Sequence, residues 1–266
     1  MKSPKEIALD KKILGMLSGK PLQTAKLMLG DPEIHHLQDY ANTVSIKRLG
    51  YNDHGPVHMR MVVINSLVML DLLKKAGISL NLESEGVGSF EDSKIAVLLA
   101  SFLHDIGMTV GRESHEHYSV TIALPIIDRI LSQVYGQDLE KRMIVRSMAV
   151  EGIIGHMGYE RIHSLEAGVI LVADGCDMEK GRARIPLLLN TESRVGDIHK
   201  YSSSSIENVT IEKGDNKPIK IAIEMSESVG FFQVEEVLIK KINSSPVKGY
   251  IELYAGVKGE KMKRYL

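Results

Sequence analysis

Lys94-Ile-Ala-Val-Leu-Leu-Ala-Ser-Phe-Leu-His104-Asp105-Ile106-Gly107 decides how this chain folds. Ile95, Leu98, Leu99 and Phe102 fall at i, i+3, i+4 and i+7, and the positions between them are mostly small or apolar. The stretch therefore reads as a buried helix. That helix ends in an imidazole beside a carboxylate. Burying a charge is costly unless it is paired or bound to a cation. A divalent metal answers the difficulty, because imidazole nitrogen and carboxylate oxygen are both good donors to such ions. Gly107 is expected to turn the chain away in the left-handed conformation that ends many helices.

Upstream, Gly50-Tyr-Asn-Asp53-His54-Gly55-Pro56-Val57-His58 forms a turn feeding a second apolar helix. That helix runs through Met61, Leu67 and Leu70 to Lys74-Lys75 and stops at Gly77. His58 stands in its first turn. Alone it would read as a core histidine, but with His104-Asp105 elsewhere in the chain it reads as a ligand. His54 supports the ligands, touches a phosphate, or stabilises the turn. Asp31-Pro32 is an N-cap with proline at the first helical position, opening a helix toward Lys47-Arg48. His35 and His36 lie near its start and read as polar residues without a ligand role.

Downstream comes Arg112-Glu-Ser114-His115-Glu116-His117. Ser114 is expected to cap a helix that Pro125 kinks. His115 and His117 are two apart, so they face different directions on a helix and at most one is a ligand. Arg112 is either a phosphate-holding guanidinium or one half of a surface ion pair. Residues 138–155 form the next helix and deliver His156 at a glycine-flanked end. Ser164 caps a run that stays apolar until Asp174, where a carboxylate again needs a partner and a metal supplies one. Asp177 shares the face of Asp174. Arg182 and Arg184, just beyond, bind an anion or form a solvated basic helix end.

The last part changes character. Four consecutive serines, 202–205, read as a flexible connection. Residues 206–211 and 219–225 alternate around Lys213-Gly-Asp-Asn-Lys-Pro218, which predicts a hairpin. Residues 231–242 have helical spacing, 251–255 alternate again, and Lys240-Lys241 reads as solvated surface. The expected fold is mainly α: a helical bundle over 1–195, then a small α+β (β-β-α-β) module over 200–266. Sheet edges invite pairing with another chain, so the module is expected to make a twofold homodimer.

Composition sets the remaining bounds. The chain has 266 residues and is 44% hydrophobic, enough for a core without staples. Its net charge of -1 gives no broad attraction to a nucleic acid duplex or an anionic membrane. Cys176, the single cysteine, excludes an intramolecular disulfide. The longest apolar runs are too short to span a bilayer. Met-Lys-Ser-Pro-Lys-Glu leads into no signal-peptide core, and a cytoplasmic protein is expected.

In order, His58, His104-Asp105, His115, His156 and Asp174 resemble the ligand set of the HD superfamily of metal-dependent phosphohydrolases. His104-Asp105-Ile106-Gly107 matches the HDIG motif. Ala173-Asp174-Gly and Gly181-Arg182-Ala-Arg184 look most like stand-alone archaeal and bacterial members. The resemblance covers roughly residues 50–190. The family spacing of a histidine four residues before a small one selects His115, with Ser119, over His117. The resemblance implies an all-helical bundle holding one or two divalent ions (Mn, Fe, Co, Ni, Zn or Mg). Their ligands would be His58, His104, Asp105, His115, His156 and Asp174, with Asp105 bridging if two ions bind. The implied reaction is hydrolysis of a phosphate ester of a nucleotide or related small molecule by a metal-activated water. Arg112, Arg182 and Arg184 would hold the phosphate, and His54 or His117 would donate a proton to the leaving group. Members that cleave cyclic dinucleotides often carry two adjacent histidines and a Gly-Tyr-Pro triplet, where this chain has Gly-His156-Met-Gly-Tyr159-Glu. Two rivals remain: a di-iron oxygenase on the same scaffold, and a nucleotide-binding sensor that signals through the tail without turnover.

Overall fold

The computed structural model describes residues 2–179 and 198–266. The helices in chain order are α1 (Pro4–Gly15), α2 (Gly19–Gly30), α3 (Pro32–Thr43), α4 (Pro56–Lys75), α5 (Asn81–Ser84) and α6 (Phe90–Leu103). They are followed by α7 (His115–Tyr135), α8 (Leu139–Gly155), α9 (Leu165–Cys176) and α10 (Ile198–Ser204). Local chemistry accounts for most of the starts. Ser3 with Glu6 and Ser89 with Asp92 form capping boxes, Asp31 accepts from the Glu33 and Ile34 amides, and Ser164 accepts from Ala167. Ser114 departs from expectation. It takes a left-handed conformation (φ 54°) without a side-chain cap bond and re-aims the chain into α7.

The helix predicted at 94–103 is the axis of the bundle. Ile95, Leu98, Leu99 and Phe102 are at most 1% exposed, and α6 packs against α2, α4, α8 and α9. α4 is long and apolar enough to cross a membrane by length and composition, yet here it is a core helix. Val62, Leu67, Leu70 and Leu73 are buried along it.

The C-terminal part is a mixed sheet in the order β1 (Ile206–Lys213), β2 (Ile219–Met225), β3 (Ile251–Val257), β4 (Lys263–Arg264). The predicted hairpin forms the antiparallel β1–β2 pair, and β2–β3 is parallel. A parallel pair needs a crossover. α11 (231–244) supplies it, built from Phe231–Gln233, a π turn at Val234–Leu238, and Ile239–Ser244. Ile219, Ile221, Ile223 and Met225 alternate inward and, with Ile251, Leu253, Val234, Leu238 and Ile242, are fully buried. These side chains form one continuous apolar cluster with those of α4, α6 and α9.

The serine run is not a loose connection. Ser202, Ser203 and Ser205 are buried, with Ser202 Oγ accepting from Gln233 Nε2 at 2.9 Å and Ser203 Oγ donating to the Met178 carbonyl at 3.3 Å. Serine is helix-compatible when its hydroxyl bonds locally or finds a fixed partner, and tertiary packing provides both.

Candidate metal centre

Helix ends bring the side chains together. His58 sits in the first turn of α4, and His104-Asp105 follows α6. His115 opens α7, His156 follows α8, and Asp174 lies in the last turn of α9. His58, His104, Asp105, His115 and His156 are at most 2% exposed, and Asp174 is buried as well.

One carboxylate lies between two sets of imidazoles. Asp105 Oδ2 is 3.2 Å from both His58 Nε2 and His104 Nε2. Its other oxygen, Oδ1, is 3.1 Å from His115 Nε2 and 3.2 Å from His156 Nε2. Asp174 Oδ1 joins the first set, 3.2 Å from His58 Nε2 and 3.8 Å from His104 Nε2. The side chains form two groups able to hold a metal ion, with Asp105 common to both.

The far side of each ring decides which nitrogen faces inward. His104 Nδ1 bonds the Ser101 carbonyl at 2.9 Å, His115 Nδ1 the Arg112 carbonyl at 2.8 Å, and His156 Nδ1 the Ile153 carbonyl at 2.7 Å. His58 Nδ1 bonds Asp177 Oδ2 at 2.6 Å. Carbonyl and carboxylate oxygens accept only, so each Nδ1 carries a proton, and in the neutral ring each Nε2 offers a lone pair. Outer partners of this kind hold metal-binding histidines in one tautomer and orientation. The inward nitrogens are close: 3.2 Å between His58 and His104, and 3.0 Å between His115 and His156. Two lone pairs at that separation need a proton or a cation between them. The donor set of imidazole nitrogens and carboxylate oxygens suits borderline and hard divalent ions.

Both carboxylates are held in the ionised form. Burial works to raise the Asp105 carboxyl, but His104, His54 and His115 outweigh it and hold the group well below the usual carboxylate range. Burial likewise opposes ionisation of Asp174, and Lys241, His58 and His104 overcome it. Burial pushes the His156 imidazole down to about 4, against the raising effect of Asp105. Deprotonated carboxylates and neutral imidazoles are the forms that bind metals.

Gly107 has a different role from the one expected. Its φ is not left-handed. A Cβ there would lie 2.0 Å from the His115 carbonyl oxygen and 2.5 Å from the Ser119 nitrogen. The glycine lets the turn after Asp105 touch the α7 backbone, and its N–H donates to Ser119 Oγ at 2.8 Å. This gives a physical reason for the His115-to-Ser119 spacing.

Other predicted residues fall at different distances from the centre. His54 is buried beside it, with Nδ1 2.6 Å from the Asn52 carbonyl and its ring centroid 5.9 Å from that of His58. Arg112 reaches the centre through its carbonyl, while its guanidinium lies over Tyr51 and near Met157 Sδ. His117, two residues past His115 on α7, has a side chain that is 53% exposed and lies outside the buried cluster. Arg182 and Arg184 lie outside the described residues. Lys241 is a correction to the expectation of solvated surface, because it is buried and its Nζ meets Asp174 Oδ2. No local signal could have found it, since the pair is 67 residues apart in sequence. Asp177 did have a signal, its i+3 spacing from Asp174. Lys5, Asp53, His58 and Asp177 line a cleft of about 50 Å³ at the edge of the cluster.

No family model and no solved structure matches the chain. Over 253 residues it is 39% identical to an uncharacterized protein of Methanocaldococcus jannaschii, an alignment spanning 95% of each chain.

Proposed function

This chain belongs to the same family as the Methanocaldococcus jannaschii protein, and we propose that it is a metal-dependent phosphohydrolase of the HD superfamily. Its substrate would be a phosphate ester of a nucleotide or related small molecule. The observation that carries the reading is Asp105, whose two oxygens each face a separate pair of histidine Nε2 atoms.

His58, His104, Asp105 and Asp174 would hold one ion, and Asp105, His115 and His156 a second. Bound there, divalent ions lower the pKa of a water and polarise a phosphoryl oxygen. The chain's own residues prepare the site. Asp177 and the carbonyls of Ser101, Arg112 and Ile153 fix a proton on each of the four Nδ1 atoms and aim the Nε2 atoms inward. Arg112, anchored beside the centre, offers a planar cation to the phosphate. Lys5, on the cleft with His58, offers a second cation. His54, fixed at Nδ1 by the Asn52 carbonyl, would give the leaving group the Nε2 proton of its imidazolium form and be left as the neutral ring.

A release assay tests this across mononucleotides, dinucleotides, cyclic nucleotides and sugar phosphates, with manganese, cobalt, nickel, magnesium and iron each supplied. At least one ester should be cleaved, with activity lost in chelator and restored by metal. The donor set also suits iron, so oxygen uptake with iron and no hydrolysis would replace this reading with the oxygenase. Tight nucleotide binding without turnover would replace it with the sensor.

A further inference from the structure

The C-terminal α+β part contributes a side chain to the centre. Lys241, on α11, is 9% exposed, and a lysine so buried needs partners. The metal ligands supply both of those described. Lys241 Nζ donates to Asp174 Oδ2 and, at 2.8 Å, to the His156 carbonyl. Asp174 turns its other oxygen toward His58 Nε2. One ammonium therefore touches a residue from each half of the centre.

The approach that delivers it is built into α9. A Cβ on Gly175 would lie 3.1 Å from Leu238 Cδ1 and from Lys241 Cδ. A Cβ on Gly168 would lie 2.7 Å from Ser245 Oγ and 3.1 Å from Pro246 Cδ. Ser245 Oγ also donates to the Gly168 carbonyl at 3.0 Å. The π turn at Val234–Leu238 lies just before Lys241. Such turns shift helical register and recur at functional sites. Val234, Leu238 and Ile242 are buried in the shared core while Lys241 reaches α9.

We propose that Lys241 is a positioning residue of the metal centre, which makes the C-terminal part a component of the site. By holding Asp174 Oδ2 it leaves a single oxygen, Oδ1, for the ion. In the metal-free chain its ammonium is a positive charge held directly against Asp174 Oδ2. The inference rests on the reading that the cluster binds a divalent cation.

The test uses the full chain as wild type, Lys241→Met, Lys241→Arg, Asp174→Asn and the Lys241→Met/Asp174→Asn double variant. Thermal unfolding is followed in chelator and with cobalt(II), together with the visible cobalt spectrum. In chelator, Lys241→Met should lower Tm by on the order of 10 °C, because a buried carboxylate loses a cation that touches it. The double variant should recover most of that loss. Cobalt should raise the Tm of Lys241→Met by more than it raises that of wild type, since the ion replaces the missing charge. The cobalt bands of Lys241→Met should weaken as Asp174 binds through both oxygens and coordination number rises, while Lys241→Arg stays close to wild type. An equal Tm loss with and without cobalt, together with an unchanged spectrum, would reduce Lys241 to a packing residue. If Lys241→Met does not fold in chelator, rescue by Asp174→Asn or by cobalt supports the proposal, and failure of both overturns it. If wild type takes up no cobalt, the metal reading itself falls, while the chelator comparison still reports whether Lys241 compensates Asp174.

Discussion

Removing the Asp177 carboxylate should loosen the first metal position without dismantling it. Asp177 Oδ2 accepts from His58 Nδ1 at 2.6 Å, and the two side chains are 11% and 0% exposed. A hydrogen bond to a charged group contributes roughly 1.5–3 kcal/mol. At about 1.4 kcal/mol per decade, that corresponds to a roughly 10- to 100-fold weaker ion, the range seen when outer partners of metal-binding histidines are lost. Asp177→Asn keeps an acceptor oxygen but loses the charge, so it should sit toward the mild end. Asp177→Ala leaves His58 free to place its proton on Nε2, the atom that faces the cluster, and should sit toward the severe end. Cobalt or manganese affinity is read by competition with a chromophoric chelator, with circular dichroism confirming the fold. Wild-type affinity in Asp177→Ala would refute the idea that this carboxylate sets the His58 tautomer.

Gly107→Ala should cost about 3 kcal/mol in denaturant unfolding, because its Cβ would strike backbone atoms of His115 and Ser119. Gly111→Ala meets nothing within 4 Å among the described residues and serves as the near-neutral control. Burial holds the His156 imidazole down to about 4, below the ordinary 6.5, so between those values the unfolded chain binds a proton that the folded chain refuses. The metal-free protein should therefore lose up to roughly 3 kcal/mol of stability from this group as pH falls through that window. A His156→Gln variant should show a correspondingly flatter pH profile. The sheet edge at β1 leads us to expect a twofold dimer in sedimentation, and a monomer at all accessible concentrations would remove that expectation.

The sequence carried the bundle and most of the cluster because both leave local marks. α6 is an apolar run with helical spacing, and its burial follows from that pattern. His104-Asp105 and Asp174 stand out as charges at the ends of apolar helices. His115 and His117 could be separated in orientation by helical geometry, but only the fold shows that His115 faces Asp105 and His117 faces out. Gly107 was legible as a glycine that matters, though not for its reason: the close approach of α7 is a long-range contact and leaves no mark on φ preference. The serines at 202–205 looked like a linker because their partners, Gln233 and Met178, are distant in sequence. Lys241 looked like surface beside Lys240 for the same reason. Its partners, Asp174 and the His156 carbonyl, come from other helices.

The most direct measurement is the metal content of the reconstituted full chain and of Asp105→Ala, by elemental analysis after removal of free ion. Asp105 offers one oxygen to each half of the cluster, so wild type should hold two ions per chain and Asp105→Ala should lose both. A wild-type chain that binds no divalent ion, or an Asp105→Ala chain that keeps full occupancy, would contradict the account.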